Sequence, residues 1–379
     1  MSAPTSALAP MEVGARLGRL RACFDAAGVD ALVVTALANV RYLTGFTGSA
    51  GIVVVTAEGA LLTTDGRYRT QGAEQLAAAG TGGDVELVVG GAETQRAAVA
   101  GVLQRLPAAA GATARVGLEA DAVSWAAQRR WADVLAPALL VPTASVVEGL
   151  RQVKDAGEVD RMARAAVIAD AALTEVVGML GEGRTEQEVA LALDSAMRRL
   201  GAEDRAFETI VAGGPNSAMP HARPSARPVG VGEPVVVDFG ATFEGYRSDM
   251  TRTFCVGGAP GDELARVFDT VGEAQRRGVA AVVPGATTGD VDRVCREHIA
   301  AAGWAEAFEH GTGHGVGLDI HEAPSVSQGA TAILAPGIVV TVEPGVYLAG
   351  VGGVRIEDTV VVTEDGCRPL TGFTKDIAA

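Results

Sequence analysis

At 379 residues the chain is long enough for two domains with separate cores, and 48% hydrophobic with 20% charged residues argues against disorder. The 31 basic and 46 acidic residues leave a net charge of −15, which excludes the basic face that a nucleic-acid partner needs. No apolar run approaches the ~20 residues that span a bilayer, so no membrane partner is expected.

The Ala/Pro/Ser-rich opening reads as a frayed tail. It lacks a basic start followed by an apolar block, so no secretory leader is expected and the location is taken as cytoplasmic. Cys23, Cys255, Cys295 and Cys367 stand far apart with no CxxC spacing, as reduced, partly buried thiols do.

Residues 15–29 carry Leu17, Leu20, Cys23 and Phe24 at helical spacing, and 30–35 (DALVVT) is a short buried strand. NVRYLTGFTGSAG (39–51) reads as a glycine-punctuated loop, and GIVVVTA and GALLTTD as a hairpin. Helix, strand and helix follow at 67–80, 84–90 and 94–106. RVGLEA, the helical SWAAQRRWADVL and LLVPTASVVEGLR complete a mixed α/β unit. The boundary is set at Leu150, giving domains 1–150 and 151–379.

Residues 150–180 read as one long helical region. TEQEVALALDSAMRRLG is a second helix, with Thr185 and Glu188 spaced as a capping box. Strands FETIVAGG, PVVVDFGATFEG and MTRTFCVG follow, then two helices at 261–282 and 288–303, then strands around IVVTVEPGVYL and GGVRIEDTVVVT. Two rounds of helix, helix and strands predict a duplicated αβ half with a site between the halves.

Asp238 ends the apolar run PVVV, where a carboxylate is costly unless paired or bound to a cation. Asp249 lies across the ATFEGY turn, at a distance that suits a hairpin. Glu343 ends IVVTV, and Glu357 follows past another glycine-rich turn. His314 sits in the glycine-rich loop HGTGHGVG between them, whose glycines are expected to let backbone approach a ligand. Four acids and one imidazole suit two divalent metals.

On these motifs the chain resembles the pita-bread metallopeptidases: methionine aminopeptidase, aminopeptidase P, prolidase and creatinase. Within them it is most similar to bacterial Xaa-Pro peptidases. NVRYLTGFTGSAG, TTDGRYRTQ, SAMPHARPS, VVDFGATFEGYRSDMTRTF, HGTGHGVGLDIHEAP, TVEPGVY and GGVRIEDT carry the resemblance over nearly the whole chain. It implies an α/β (α+β) protein, with a C-terminal pita-bread fold and a smaller creatinase-like N-terminal α/β domain. It implies metal ligands at Asp238, Asp249, His314, Glu343 and Glu357, with Asp249 and Glu357 bridging. Mn2+, Co2+ and Zn2+ are the candidate ions, and the oxygen-rich set favours Mn2+. A metal-bridging hydroxide would be the nucleophile, with Glu343 handling the proton.

The same resemblance makes His221 and His321 substrate-holding and oxyanion-stabilising histidines. His310 is implied as support for the ligand loop, and His298 as a surface residue. Arg355, counted among the substrate-facing residues, is expected to orient Glu357 or a neighbouring acid through a bidentate contact. Asn39, Arg41 and Tyr42 would edge the site of their own or a neighbouring subunit, a homodimer being the family's usual minimum.

One segment departs from the pattern. Residues 323–340 hold no Lys or Arg, whereas dipeptide-cleaving members often carry an Arg there. The alternative cations are Arg223 and Arg227. The expected activity is hydrolysis of the Xaa-Pro bond in peptides with proline second, by an aminopeptidase or a dipeptidase. A binding module or a metal-free creatinase-like hydrolase would lack the ligand set.

Overall fold

The computed structural model describes residues 7–106, 113–258 and 260–376. The N-terminal tail lies outside the described residues up to Ser6. The chain divides into two compact units, 11–151 and 152–376, the second joined by residues 7–10.

The first unit is a six-stranded sheet with helices. Its strands are β1 (Ala31–Val34), β2 (Ile52–Thr56), β3 (Ala60–Thr64), β4 (Val85–Val89), β5 (Arg115–Glu119) and β6 (Leu139–Thr143), in the order β4-β3-β2-β1-β5-β6. The β2–β3 pair is the expected hairpin, while β1, β5 and β6 run parallel. The helices are α1 (Val13–Arg21), α2 (Phe24–Ala27), α3 (Leu37–Thr44), α4 (Arg69–Ala78), α5 (Ala92–Leu103), α6 (Trp125–Leu135) and α7 (Val146–Arg151).

Helix α3 corrects the loop expected at 39–51. Its N-terminus is capped from a distance: the Glu119 carboxylate accepts the N–H groups of Thr35 (2.6 Å) and Ala36 (2.8 Å). Gly45, at φ 76°, ends it in the left-handed region. Asn39 is buried and donates to Glu119 and Glu148, and the Tyr42 hydroxyl donates to Leu150 O.

The second unit begins with α8 (Ala156–Val176) and α9 (Glu186–Arg199). The single helix expected over 150–180 is broken, because Asp155 and Glu158 form a capping box that starts α8 afresh. Thr185 and Glu188 make the expected box on α9. Two helices, α10 (Asp262–Ala281) and α11 (Thr288–Ala301), open the second half.

The strands repeat one plan. In the first half β8 (Ile210–Gly213), β9 (Pro234–Phe239) and β12 (Met250–Cys255) form an antiparallel sheet. Between β9 and β12 the chain leaves that sheet for β10 (Ala241–Phe243) and β11 (Tyr246–Arg247), which pair with β7 (Asp204–Arg205). In the second half β13 (Gly313–Gly315), β14 (Glu322–Val326), β15 (Val339–Val342), β18 (Asp358–Val362) and β19 (Cys367–Pro369) form the sheet. Here the excursion is the hairpin of β16 (Gly345–Leu348) and β17 (Gly352–Arg355). Each half has its own core: Leu173, Leu193, Val237 and Phe254 in the first, Val271, Cys295, Val342 and Val360 in the second.

The halves meet along β12. Glu357 N–H donates to Thr251 O (3.1 Å), Arg355 N–H to Thr253 Oγ1 (3.0 Å), and Thr359 Oγ1 to Asp249 O (2.8 Å). Beneath this seam Arg252 is fully buried. It pairs with Asp358 at 2.9 Å and also donates to the carbonyls of Glu357 and Phe373. No helix among the described residues is long and apolar enough to cross a membrane.

Candidate metal and catalytic site

Asp238 is near the end of β9, directly opposite Thr251 on β12. Asp249 precedes β12 and lies two residues from Thr251, so on a pleated strand it shares that face. Glu343 and Glu357 flank the paired ends of β15 and β18 in the same way, since Val342 pairs with Asp358. Each half thus delivers two acids from one strand pair, and the seam brings the four together.

Asp238, Asp249 and Glu357 each place a carboxylate oxygen within 4.8 Å of the others. His314 Nε2 lies 3.6 Å from Asp249 Oδ2 and 3.3 Å from Glu343 Oε1. Asp249 therefore belongs to both groups, and all five expected ligands line one cavity of about 320 Å³. The His314 Nδ1–H is directed at Gly315 O (3.0 Å), which leaves Nε2 to face the acids.

Such crowding needs a counter-charge. Two ionised carboxylates at this separation repel by roughly 3 kcal/mol at an effective dielectric of ~20. Burial pushes the carboxyls of Asp238, Asp249 and Glu357 up. Arg355 partly offsets this at Asp238, and the neighbouring acids add to it at Asp249 and Glu357. Burial acts on Glu343 too, but His314 and Arg355 together outweigh it and hold Glu343 below the usual range in the metal-free protein. Asp238 Oδ1 and Glu357 Oε1 are buried without a hydrogen-bond partner among the described residues. A metal-free site would leave those oxygens costly, so the donor set fits divalent cations held mainly by oxygen.

His314 lies on β13, not in a loop, and its glycines serve a different purpose from the one expected. A Cβ on Gly313 would sit 2.1 Å from Thr341 O, and one on Gly315 would sit 2.3 Å from Ala323 O. The glycines let β13 fit between β14 and β15, and no ligand is needed to explain them.

Arg355 is buried and makes one ion pair, at 2.6 Å, with Asp238 of the other half. The acid it serves is thus the neighbouring Asp238 and not Glu357, through one nitrogen where two were expected. Its other donors go to Thr251 Oγ1, Pro220 O and Tyr347 OH. Four of its five N–H groups are thus spent on protein, so Arg355 orients Asp238 at the cavity wall and has little left for a substrate. His310 Nδ1 donates to Gly311 O (2.7 Å), leaving Nε2 to accept from the Tyr347 hydroxyl at 2.8 Å. Burial lowers the basicity of His310, in keeping with that neutral tautomer. His310 thus supports Tyr347 and, through it, Arg355.

His221 and His321 line the same cavity but are exposed at its mouth. The His321 ring stands edge-on to His314, with centroids 4.4 Å apart. Phe207, Ile210 and Ile320 give the cavity an apolar side. His298 is part-buried on α11, away from the cavity lining. Arg227 is paired with Glu233, and neither it nor Arg223 lines the cavity.

Several supporting residues escaped sequence reasoning. Thr251 Oγ1 donates to Glu357 (2.7 Å), and Thr341 Oγ1 donates to Glu343 (3.1 Å) while accepting His314 N–H. Both lie two residues from an acid on a strand, a spacing that was readable. Buried carboxylates also fasten the histidine-bearing segments. Glu186 accepts from Gly213 N–H, Asn216 Nδ2, Ser225 N–H and Ser225 Oγ, clasping both ends of the His221 loop. Asp292 accepts the N–H and hydroxyl of Thr312, beside His314.

The sequence pattern of metallopeptidase family M24 matches residues 160–364, and that of the creatinase/prolidase N-terminal domain matches residues 16–153. An uncharacterized peptidase of Bacillus subtilis is 40% identical over 362 residues, covering 96% of this chain and 99% of that one. The structure of a Xaa-Pro dipeptidase from Bacillus anthracis superposes with a TM-score of 0.90 at 37% identity, covering 97% and 99% of the two chains. That of an X-Pro aminopeptidase from Thermotoga maritima gives 0.83 at 36% identity, covering 93% and 98%.

Two outcomes are expected. Gly313→Ala forces β13 away from β15 and weakens metal affinity by about 10–100-fold, with helical circular dichroism retained; unaltered metal titration would contradict this. The raised carboxyls hold more protons folded than unfolded, so the metal-free protein loses stability as pH rises through them. A cation must expel those protons, so affinity climbs with pH. Calorimetry in two buffers of different ionisation enthalpy should register net proton release, and its absence would sink the account.

Proposed function

The chain belongs to metallopeptidase family M24 and has the pita-bread fold, and on that premise we propose that it hydrolyses the Xaa-Pro bond at the N-terminus of peptides, as an aminopeptidase P-like enzyme. We read residues 151–379 as the catalytic domain and 1–150 as the creatinase-like domain, in a cytoplasmic homodimer. Asp238, Asp249, His314, Glu343 and Glu357 are the residues that would hold the metal. A pair of divalent cations, Mn2+ ahead of Co2+ or Zn2+, would supply Lewis acidity at the scissile carbonyl and an activated water.

The protein's own groups do the rest. Glu343, at the cavity wall beside His314, takes the proton of the attacking water and passes it to the leaving proline nitrogen. His321 and His221, at the mouth, reach the carbonyl oxygen and donate to it as negative charge develops. Phe207, Ile210 and Ile320 offer an apolar surface for the proline ring. The surrounding acids favour a free α-amine.

The observation that favours an aminopeptidase is the cavity's lack of a spare cation among the described residues: Arg355 is the one basic residue of these, histidines apart, that lines it, and its donors are largely spent. Ser325 stands opposite His314 in the β13–β14 register, and its hydroxyl bonds that of Ser327. This neutral wall suits a continuing chain better than a free carboxylate. A dipeptidase is the second reading, favoured by the name of the Bacillus anthracis protein.

With Mn2+ supplied, Ala-Pro-Ala should be cleaved at least about ten-fold more efficiently than Ala-Pro, for want of a carboxylate partner worth ~1.4 kcal/mol. Turnover of Ala-Pro alone would refute the aminopeptidase reading, and turnover of neither by metal-loaded protein would refute proline specificity. Asp249→Ala should lose metal and activity together. His321→Ala should keep its metal and lose turnover by about 10²–10³-fold, and full turnover would remove His321 from the mechanism.

A further inference from the structure

His321 faces solvent, yet its proposed role needs one fixed position over the cavity. Its neighbour Glu322 turns inward and meets Lys154 at 3.1 Å, the two side chains being 6% and 1% exposed. The same carboxylate accepts Asp319 N–H at 3.0 Å, tying the loop across its own turn. Gly317 makes the room, since a Cβ there would come within 2.7 Å of both Glu322 oxygens. The segment between β13 and β14 is thus closed around a buried carboxylate.

Lys154 is itself held rigidly. Its N–H donates to Gly337 O at 2.9 Å, and Gly337 (φ 88°) packs so closely that a Cβ would lie 2.8 Å from Lys154 O. From outside, Arg247 N–H donates to Gly317 O (2.9 Å) and Arg247 Nε to Leu318 O (3.1 Å). A buried ammonium–carboxylate pair is a poor source of stability, because desolvation offsets most of the attraction. It does fix register, since its partners tolerate little displacement in a low dielectric.

We propose that Lys154 is a positioning residue for catalysis: its ammonium fixes Glu322, and Glu322 fixes the loop that presents His321 at the cavity. Lys154 does not line the cavity and touches none of the proposed ligands. The proposal rests on the reading of His321 as a donor to the developing oxyanion, and its consequences fall on turnover and not on metal.

The test is a kinetic cycle on the full-length Mn2+-loaded enzyme with Ala-Pro-Ala. Lys154→Met should lower kcat by about 10²-fold, as a displaced catalytic group does, with KM and metal stoichiometry retained. In a His321→Ala background the same change should cost less than about two-fold more, because both substitutions remove one function. If Lys154→Met fails to fold, Lys154→Met/Glu322→Leu replaces the pair by apolar groups; it should fold and still turn over slowly. Equal fold-losses in both backgrounds, loss of metal, or full kcat in the double replacement would overturn the proposal. A slow His321→Ala beside a fully active Lys154→Met overturns the role of Lys154 alone. A fully active His321→Ala overturns the reading of His321 itself.

Discussion

Four carboxylates that would repel one another in water are forced into a single buried cavity, and the remainder of the catalytic unit answers to that constraint. Oxygens of Asp238, Asp249 and Glu357 lie within 4.8 Å of one another, and Glu343 joins them across His314. Thr251, Thr341 and Arg355 each hold one acid from the side and leave other oxygens facing inward. Arg355 could not do this alone, since one guanidinium cannot neutralise four acids. The arrangement is therefore poised for cations and strained without them.

The constraint is met by using one device twice. A buried strand carries an acid at or near its end, the chain leaves the sheet for a short excursion, and it returns with a second acid beside the paired strand ends. Gly240 allows the first departure, because a Cβ there would lie 1.9 Å from Ser248 O. The histidine segments hang from buried acids on different elements: Glu186 from α9, Asp292 from α11 and Glu322 from the start of β14. Backbone N–H groups and neighbouring side chains satisfy those acids, with Arg296 paired to Asp292 and Lys154 to Glu322, so each is a fastening and not a second cation site.

Much of this was legible because chemistry sat at places where physics disfavours it. An acid that ends an apolar strand is a contradiction unless something binds it, and Asp238 and Glu343 announced themselves so. What stayed hidden was carried by residues distant in sequence. Helix α3 looked like a loop because its cap, Glu119, lies 84 residues after Thr35. Arg355 was expected to serve Glu357 or a neighbouring acid, and the choice between them was hidden: β17 packs against β9 and delivers the guanidinium to Asp238. The glycines around His314 were read as making room for a ligand, when the neighbouring strands occupy that room. Thr251 and Thr341 were readable by strand periodicity, while Glu186, Asp292 and Lys154 could be read only from packing.

The seam along β12 has a consequence for how the molecule comes into being. Each half builds its own core, yet neither owns more than two of the acids, and Glu357 meets Thr251 only where the halves join. A chain in which one half has formed and the other has not carries no competent centre. Peptidase chemistry therefore waits on completion of the tertiary structure.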